Sequence, residues 1–349
     1  MTLSPGVRTS TAAWPSHVKV VSRPIAISES SLPAPGRQLP VVAGPEYAPP
    51  VGAGARGGYT PPVPSQQIAS NLAFINWTVL AALAVGSFTL VVLARLRTEA
   101  TRGYLAFLAF CAAGFGVLAY LSDTALPASD AMASIATSAS PVVGDPAFDF
   151  ARRTALAAFT ALAAVTTLVI ARGGRARIPG IAGLIAGGAV LVLGGLTWGG
   201  ALPLPIAMLT LQLGVLSLAT GGVFGAMILG HWYLVTPKLP EAPLVRVSRA
   251  LLVVVAVQVA LFVLWVGLGA GPGSTGGPFA ALVGPWALFV WLRLLVGLVF
   301  PLVVSWAALQ TARSRSMESA TGLLYINVGT VAAGTILAAG LYFGAGLLV

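Results

Sequence analysis

A single arginine, Arg293, stands in the middle of a long apolar stretch, eight residues after Pro285. If this stretch is a helix in a bilayer, the Cα of Arg293 lies about 12 Å below the membrane surface. A charge in mid-span costs roughly 2.5–3.5 kcal/mol even on lenient insertion scales, so it calls for a compensating partner or a function. A guanidinium binds quinone carbonyls, carboxylates and lipid phosphates well. Snorkelling toward the surface is the structural alternative.

Four further polar or amphipathic side chains stand inside apolar stretches: Gln212, Gln258, Trp291 and Asn327. Such groups are rare in hydrocarbon because an amide or indole N–H without a hydrogen-bond partner is costly there. We therefore predict that these four side chains and Arg293 line one ligand cavity. No acidic residue falls within an apolar stretch, so a buried ion pair would require Asp123 or Asp149 to fold inward.

His231 opens the segment His231-Trp232-Tyr233 at the end of another apolar stretch. Trp and Tyr are typical of the membrane–water interface, and a protonated histidine interacts favourably with a helix C-terminus. The functional interpretations are a proton acceptor beside a quinol or a single axial haem ligand. Met208 and Met227 are candidate second haem ligands, although methionine in apolar stretches usually serves packing.

The sequence pattern shows no catalytic or metal-binding constellation. No Ser/His/Asp or Cys/His set occurs in or beside the apolar stretches. The single cysteine, Cys111, allows neither a disulfide nor a thiolate metal site. The acidic residues between positions 123 and 150 are not paired with a histidine at metal-ligand spacing. An independent catalytic activity is therefore not predicted.

Composition points to a membrane as the solvent for most of the chain. Hydrophobic types make up 57% of the 349 residues and charged types only 8%, whereas soluble domains carry roughly 25% charged residues. The net charge of +10 is spread over short clusters between apolar stretches, which is typical of membrane topology. Nucleic acid is therefore not an expected partner, and the lipid bilayer is.

The chain divides into a Pro/Gly-rich tail, residues 1–70, and a helical transmembrane domain, residues 71–349. The tail has too little patterned apolar content to fold, so disorder is predicted. A membrane-spanning helix needs about 20 apolar residues. The fold class is thus all-α, a polytopic bundle of about eight spans near 72–94, 103–122, 153–171, 179–198, 204–230, 248–269, 284–309 and 319–347.

Every second loop between the predicted spans is rich in arginine or lysine. The four basic loops contain Arg95 to Arg102, Arg172 to Arg177, Lys238 to Arg249, and Arg313 with Arg315. The positive-inside rule places these loops in the cytoplasm and both chain termini outside the cell membrane. Arg152 and Arg153 conflict with this rule, and pairing with Asp149 at i+3 and i+4 reduces the conflict.

Two function classes follow from these patterns. The first is a subunit of a larger membrane complex that contacts a quinone or a lipid in electron transfer, with quinone or haem as candidate cofactors. The second is a transporter or channel for a small solute, which the helix count and the glycine-rich packing favour. Ion-driven transporters usually place carboxylates in their spans, and none falls in the predicted spans, so the first class is preferred.

Overall fold

The computed structural model describes residues 64–97, 100–127, 141–236, 239–274 and 277–349. These residues form helices and short connections, and no strand occurs among them. Eight of their helical segments are long and apolar enough to cross a membrane. The predicted all-α bundle of about eight spans is confirmed. Most of the predicted tail, residues 1–63, and Lys238 of one basic loop lie outside the described residues.

The helices of the described residues follow one another along the chain. They are α1 (Pro64–Ser70), α2 (Leu72–Arg97), α3 (Arg102–Thr124), α4 (Asp149–Ala171), α5 (Arg177–Trp198), α6 (Pro203–Val235), α7 (Ala242–Leu268), α8 (Ala287–Leu294), α9 (Phe300–Arg313) and α10 (Met317–Ala345). A π-helical segment, Leu295–Val299, joins α8 to α9. These three segments form the seventh span.

The helices extend beyond the predicted apolar stretches at several ends. Helix α6 continues through His231 to Val235, and α7 begins at Ala242 instead of near residue 248. Pro243 fits the first turn of α7 because its missing N–H would have no partner there. Helical hydrogen bonding needs no apolar side chains, and long basic side chains such as Arg246 reach polar surroundings from a helix end. Hydropathy therefore places the spans but not their termini.

The last seven residues of the predicted tail differ from the expectation, because they form helix α1. Ile68 packs against the hydrophobic core. Its Cγ1 lies 3.7 Å from the position that a Cβ on Gly340 of α10 would occupy. The amide N–H of Asn71 donates to the carbonyl of Ile68 at the junction with α2, over 3.1 Å. Contact with α10 thus orders a segment whose composition resembles a linker.

Helices α2 and α6 form the central pair of the bundle, and α6 is the most buried span, with 72% of its most apolar stretch buried. The two backbones meet at Gly86 and Gly221. A Cβ on Gly86 would lie 1.8 Å from the carbonyl oxygen of Ser217, and one on Gly221 would lie 2.1 Å from the amide nitrogen of Ser87. In lipid, where apolar burial drives association only weakly, such close approach supplies packing energy.

Hydrogen bonds between helices satisfy polar side chains inside the bundle. The hydroxyls of Thr220 in α6 and Thr335 in α10 lie 2.7 Å apart. The Tyr104 hydroxyl of α3 donates to the carbonyl of Gly225 in α6 over 3.1 Å. Pairing of this kind is needed because hydrocarbon offers no water as an alternative partner. These bonds fix α3 and α10 on α6.

The α2–α6 contact predicts different effects of alanine at two adjacent glycines. Gly221→Ala places a methyl group against the backbone of α2, so we expect the free energy of unfolding to fall by about 1–3 kcal/mol. Gly222→Ala is the matched control, since the nearest atom to its new Cβ is Leu251 Cδ1 at 4.0 Å. Thermal unfolding of the detergent-solubilised variants measures the difference. Equal destabilisation by both variants would contradict the close contact.

Candidate functional site

Arg293 is fully buried at the junction between α8 and the π-helical segment, with 1% of its side chain exposed. Its Nη1 donates to the carbonyl of Gly297 over 3.2 Å. Its Nε has no hydrogen-bond partner among the described residues. A Cβ on Gly334 of α10 would lie 2.7 Å from Nη1. The guanidinium therefore occupies a cradle formed by two glycines, with one carbonyl acceptor and no carboxylate within salt-bridge distance in the described part of the chain.

Asn327 and Arg293 both lie between the seventh span and α10, but Asn327 contacts α9 whereas Arg293 belongs to α8. Its amide nitrogen donates to the hydroxyl of Ser305 in α9 over 2.8 Å. Gly334, which borders the arginine, follows seven residues later, about 10 Å along the helix axis. Trp291 has 43% of its surface exposed, and its indole N–H donates to the carbonyl of Leu282 over 3.2 Å.

The two glutamines lie at a different interface, between α6 and α7. Gln212 accepts from the indole N–H of Trp265 over 3.2 Å and donates to the carbonyl of Val349 over 2.7 Å. Gln258 donates to the carbonyl of Val215 over 3.5 Å. Each predicted site residue thus has its own internal partner. Arg293 and Asn327 lie at one interface, and the two glutamines lie at another. Ligand binding by these side chains stays a prediction.

The incomplete pairing of Arg293 predicts an unusual substitution effect. Arg293→Met keeps a long unbranched side chain and removes a buried charge, so we expect the free energy of unfolding to rise by about 1–3 kcal/mol. Arg293→Lys keeps the charge and should give no such gain. Thermal unfolding in detergent compares the two variants with the unsubstituted protein. A methionine variant less stable than the lysine variant would contradict the idea that the guanidinium costs stability.

A buried ion-pair cluster lies at the opposite end of the bundle from the arginine-rich loops. Arg152 of α4 donates from Nε to Asp123 Oδ2 and from Nη1 to Asp149 Oδ1, each over 2.8 Å. Its Nη1 also donates to the hydroxyl of Thr197 over 3.0 Å. Arg153 Nε donates to Asp123 Oδ1 over 3.1 Å. Asp123 is fully buried and Arg152 is 2% exposed.

This cluster shows that Asp123 folds inward, at the end of span α3, and pairs with Arg152 instead of Arg293. The expectation that no acidic residue falls inside a span is wrong for this residue, since α3 extends to Thr124. The guanidinium carbon of Arg152 also lies 4.5 Å from the ring centroid of Trp198, a geometry that adds cation–π attraction. Neutralisation by two carboxylates explains how two arginines are accommodated at this end.

The cluster predicts unequal effects for its two carboxylates. Asp123→Asn leaves Arg152 buried without its main counter-ion, so we expect a loss of about 3–5 kcal/mol in the free energy of unfolding. Asp149→Asn removes a partner that is 25% exposed, and its expected cost is about 1 kcal/mol or less. Thermal unfolding in detergent at neutral pH gives both values. A loss for Asp149→Asn as large as that for Asp123→Asn would refute the assignment.

At the arginine-rich end, the last turn of α6 and the first turn of α10 line a cavity of about 560 Å³. The two helices touch where Gly230 faces Thr321, since a Cβ on Gly230 would lie 2.7 Å from the threonine Oγ1. Glu241 and Arg315 form an ion pair beside the cavity. The lining combines aromatic, apolar and charged side chains: Tyr233, Leu234, Arg315, Ser316, Met317 and Glu318. We call this space the α6–α10 groove.

His231 and Tyr325 lie beside this groove and are hydrogen-bonded to each other. The Tyr325 hydroxyl and His231 Nδ1 are 3.2 Å apart, and both side chains are exposed on the bundle surface. Leu234 follows His231 by three residues, and Glu318 precedes Tyr325 by seven. These spacings put each pair on one helix face. The histidine–tyrosine pair therefore lies one to two helical turns deeper in the membrane than the groove lining.

The other two residues of the predicted interfacial segment have packing roles. Trp232 contacts the start of α3, where a Cβ on Gly103 would lie 2.7 Å from the indole Cζ2. Tyr233 is buried, and its hydroxyl donates to the carbonyl of Pro240. Met208 and Met227 pack against two different core clusters. In the described part of the chain, no group of three His, Cys, Asp or Glu side chains can hold a metal ion.

The comparisons with known proteins give no family for this chain. No protein-family model matches it, and no curated protein or solved structure is significantly similar. The fold alone defines the class, which is a polytopic α-helical membrane protein with eight apolar spans in its described residues.

Proposed function

We propose that the protein is a membrane subunit that binds the ring of a quinone at the α6–α10 groove, within a larger electron-transfer complex. The supporting observation is the hydrogen-bonded pair of His231 and Tyr325 beside this cavity. A quinone ring needs hydrogen-bond partners for its carbonyl oxygens and apolar walls for its faces. Its isoprenoid tail needs an open path to lipid, and both side chains are exposed on the bundle surface.

Each group at the groove has a chemical task in this proposal. The Tyr325 hydroxyl donates a hydrogen bond to one quinone oxygen, and a ring nitrogen of His231 accepts a proton from the quinol. The carboxylate of Glu318 at the cavity accepts this proton and passes it to water, while Arg315 contributes a fixed positive charge. Oxidation of a quinol releases two electrons and two protons. We assign the electrons to a redox centre of a partner subunit, which makes other membrane subunits the expected partners.

The orientation of the groove follows from the distribution of charge. We place the arginine-rich end in the cytoplasm and both chain termini outside the cell membrane, because positively charged loops are retained on the cytoplasmic side. The quinone would then exchange protons with the cytoplasm. Haem ligation by His231 remains an alternative, and an absorption spectrum of the purified protein tests it directly.

The transporter alternative gains one observation, since Asp123 is a buried carboxylate inside a span. Both of its oxygens, however, accept hydrogen bonds from Arg152 or Arg153. A carboxylate held in this way is not free to bind a cation, so the groove carries the stronger argument.

A photoreactive quinone analogue tests the proposal on the full-length protein in detergent micelles with added lipid. We expect label on α6 and α10 near His231 and Tyr325. Tyr325→Phe and His231→Gln should each reduce labelling about fivefold, which corresponds to the loss of one hydrogen bond. Tyr120→Phe, a tyrosine of α3 away from the groove, is the matched control. Label on other helices, or equal labelling of all three variants, would contradict the proposal.

A further inference from the structure

A second cleft lies at the arginine-rich end, between α2, α4 and α5, away from the α6–α10 groove. It encloses about 50 Å³ and has apolar walls with arginines at its rim. Leu96 and Ile181 at its edge are each 51% exposed, so the cleft is bordered by residues that face the bilayer. Its lining is Val91, Val92, Arg95, Leu96, Thr166, Ile170, Arg175, Ala176, Arg177, Gly180 and Ile181.

Three arginines from separate parts of the chain line this cleft. Arg95 comes from the last turns of α2, Arg175 from the loop after α4, and Arg177 from the start of α5. Arg95 Nη2 donates to the carbonyl of Gly174 over 3.5 Å, which links the end of α2 to the loop after α4. None of the three forms a salt bridge with a carboxylate of the described residues. The rim is therefore a concentration of uncompensated positive charge.

Thr166 supplies an unpaired polar group in the apolar wall. Its hydroxyl is buried and has no hydrogen-bond partner among the described residues. Three other threonines of the same helix, Thr154, Thr160 and Thr167, each donate to the carbonyl four residues earlier. Thr166 lies five residues before the end of α4 at Ala171, about 8 Å deeper than the rim. An unpaired hydroxyl in such surroundings is costly unless a ligand accepts its hydrogen bond.

We propose that this cleft binds one anionic phospholipid. The phosphate lies among Arg95, Arg175 and Arg177, where guanidinium N–H groups match phosphate oxygens in charge and geometry. A glycerol ester carbonyl accepts the Thr166 hydrogen bond, since the ester groups of a phospholipid lie a few ångströms below its phosphate. One acyl chain follows the apolar wall toward Ile181. Basic pockets between membrane helices recognise anionic headgroups in this way.

The apolar wall distinguishes a lipid from a free phosphate ion. Free phosphate would use the arginines but would gain nothing from Val92, Ile170 or the lipid-facing Ile181. It would also leave the Thr166 hydroxyl without an acceptor, because that group lies about 8 Å below the rim. The combination of charge at the rim and an unpaired hydroxyl below it fits a molecule that spans both depths.

The test uses the full-length protein exchanged into micelles that contain equal amounts of phosphatidylglycerol and phosphatidylcholine. Native mass spectrometry counts the retained lipids. We expect one tightly retained phosphatidylglycerol with about tenfold preference over phosphatidylcholine. Arg175→Gln/Arg177→Gln should abolish the preference, and Thr166→Val, which keeps the side-chain shape, should reduce retention about fivefold. The control Arg249→Gln/Arg313→Gln removes two arginines from other basic loops and should retain the lipid.

Two outcomes would overturn this proposal. Equal loss of phosphatidylglycerol from the control and the cleft variant would show general charge attraction at the membrane surface. Displacement of the lipid by millimolar inorganic phosphate would show an anion site without an acyl-chain contact. If phosphate does not displace the lipid and only the cleft variants lose it, the site is established. Thermal unfolding of each variant verifies that it is folded.

Discussion

Hydrocarbon solvates neither charges nor unpaired backbone groups, and this constraint determines where the polar residues of the chain lie. The arginine-rich loops cluster at one end of the bundle, where polar headgroups and water are available. At the other end Arg152 is buried, and two carboxylates and a threonine surround it. Arg293 is the exception, because a single carbonyl contacts its buried guanidinium. Because its charge is buried with so little compensation, Arg293 is the residue of the bundle that most needs a functional explanation.

The two spaces for which we propose ligands both lie at the arginine-rich end. There, helices that touch at glycines inside the bundle leave spaces with apolar walls and polar rims. The α6–α10 groove has a histidine–tyrosine pair beside it, and the α2–α4–α5 cleft has three guanidiniums at its rim. Both spaces suit amphipathic molecules, whose headgroup and tail require different surroundings.

The class and span count were predictable because long uncharged stretches leave few alternatives. Helix termini were not, since hydrogen bonding in α6 and α7 continues past the apolar residues. The Asp123–Arg152 pair was missed because Asp123 stood just beyond a predicted span and its partner is 29 positions away. His231 could be predicted as a candidate site residue because it is the only histidine in the predicted transmembrane domain. Tyr325 was not, because a tyrosine inside an apolar stretch looks like any packing residue until its partner is known.

Site geometry was the least predictable part. Polar side chains that are rare within spans, such as Gln212 and Asn327, do need hydrogen-bond partners. The sequence could not tell whether each partner is a ligand or the protein itself. In the structure both amides bond internally. Conversely, the cleft at Arg95 depends on three helices converging, a fact that no local pattern contains. Helix pairing in lipid depends on small residues in many combinations, so distance between spans cannot be derived from composition.

Eight spans that alternate in direction would place all arginine-rich loops on one side of the membrane. Single cysteines in a Cys111→Ala background test it most directly, at Arg172 and Ser314 in basic loops and at Ala201 and Gly277 in the opposite loops. A membrane-impermeant maleimide is added to intact and then to opened cells. We expect Ala201→Cys and Gly277→Cys to react in intact cells, and Arg172→Cys and Ser314→Cys to react only after the cells are opened. Labelling of one basic and one opposite loop from the same side would contradict it.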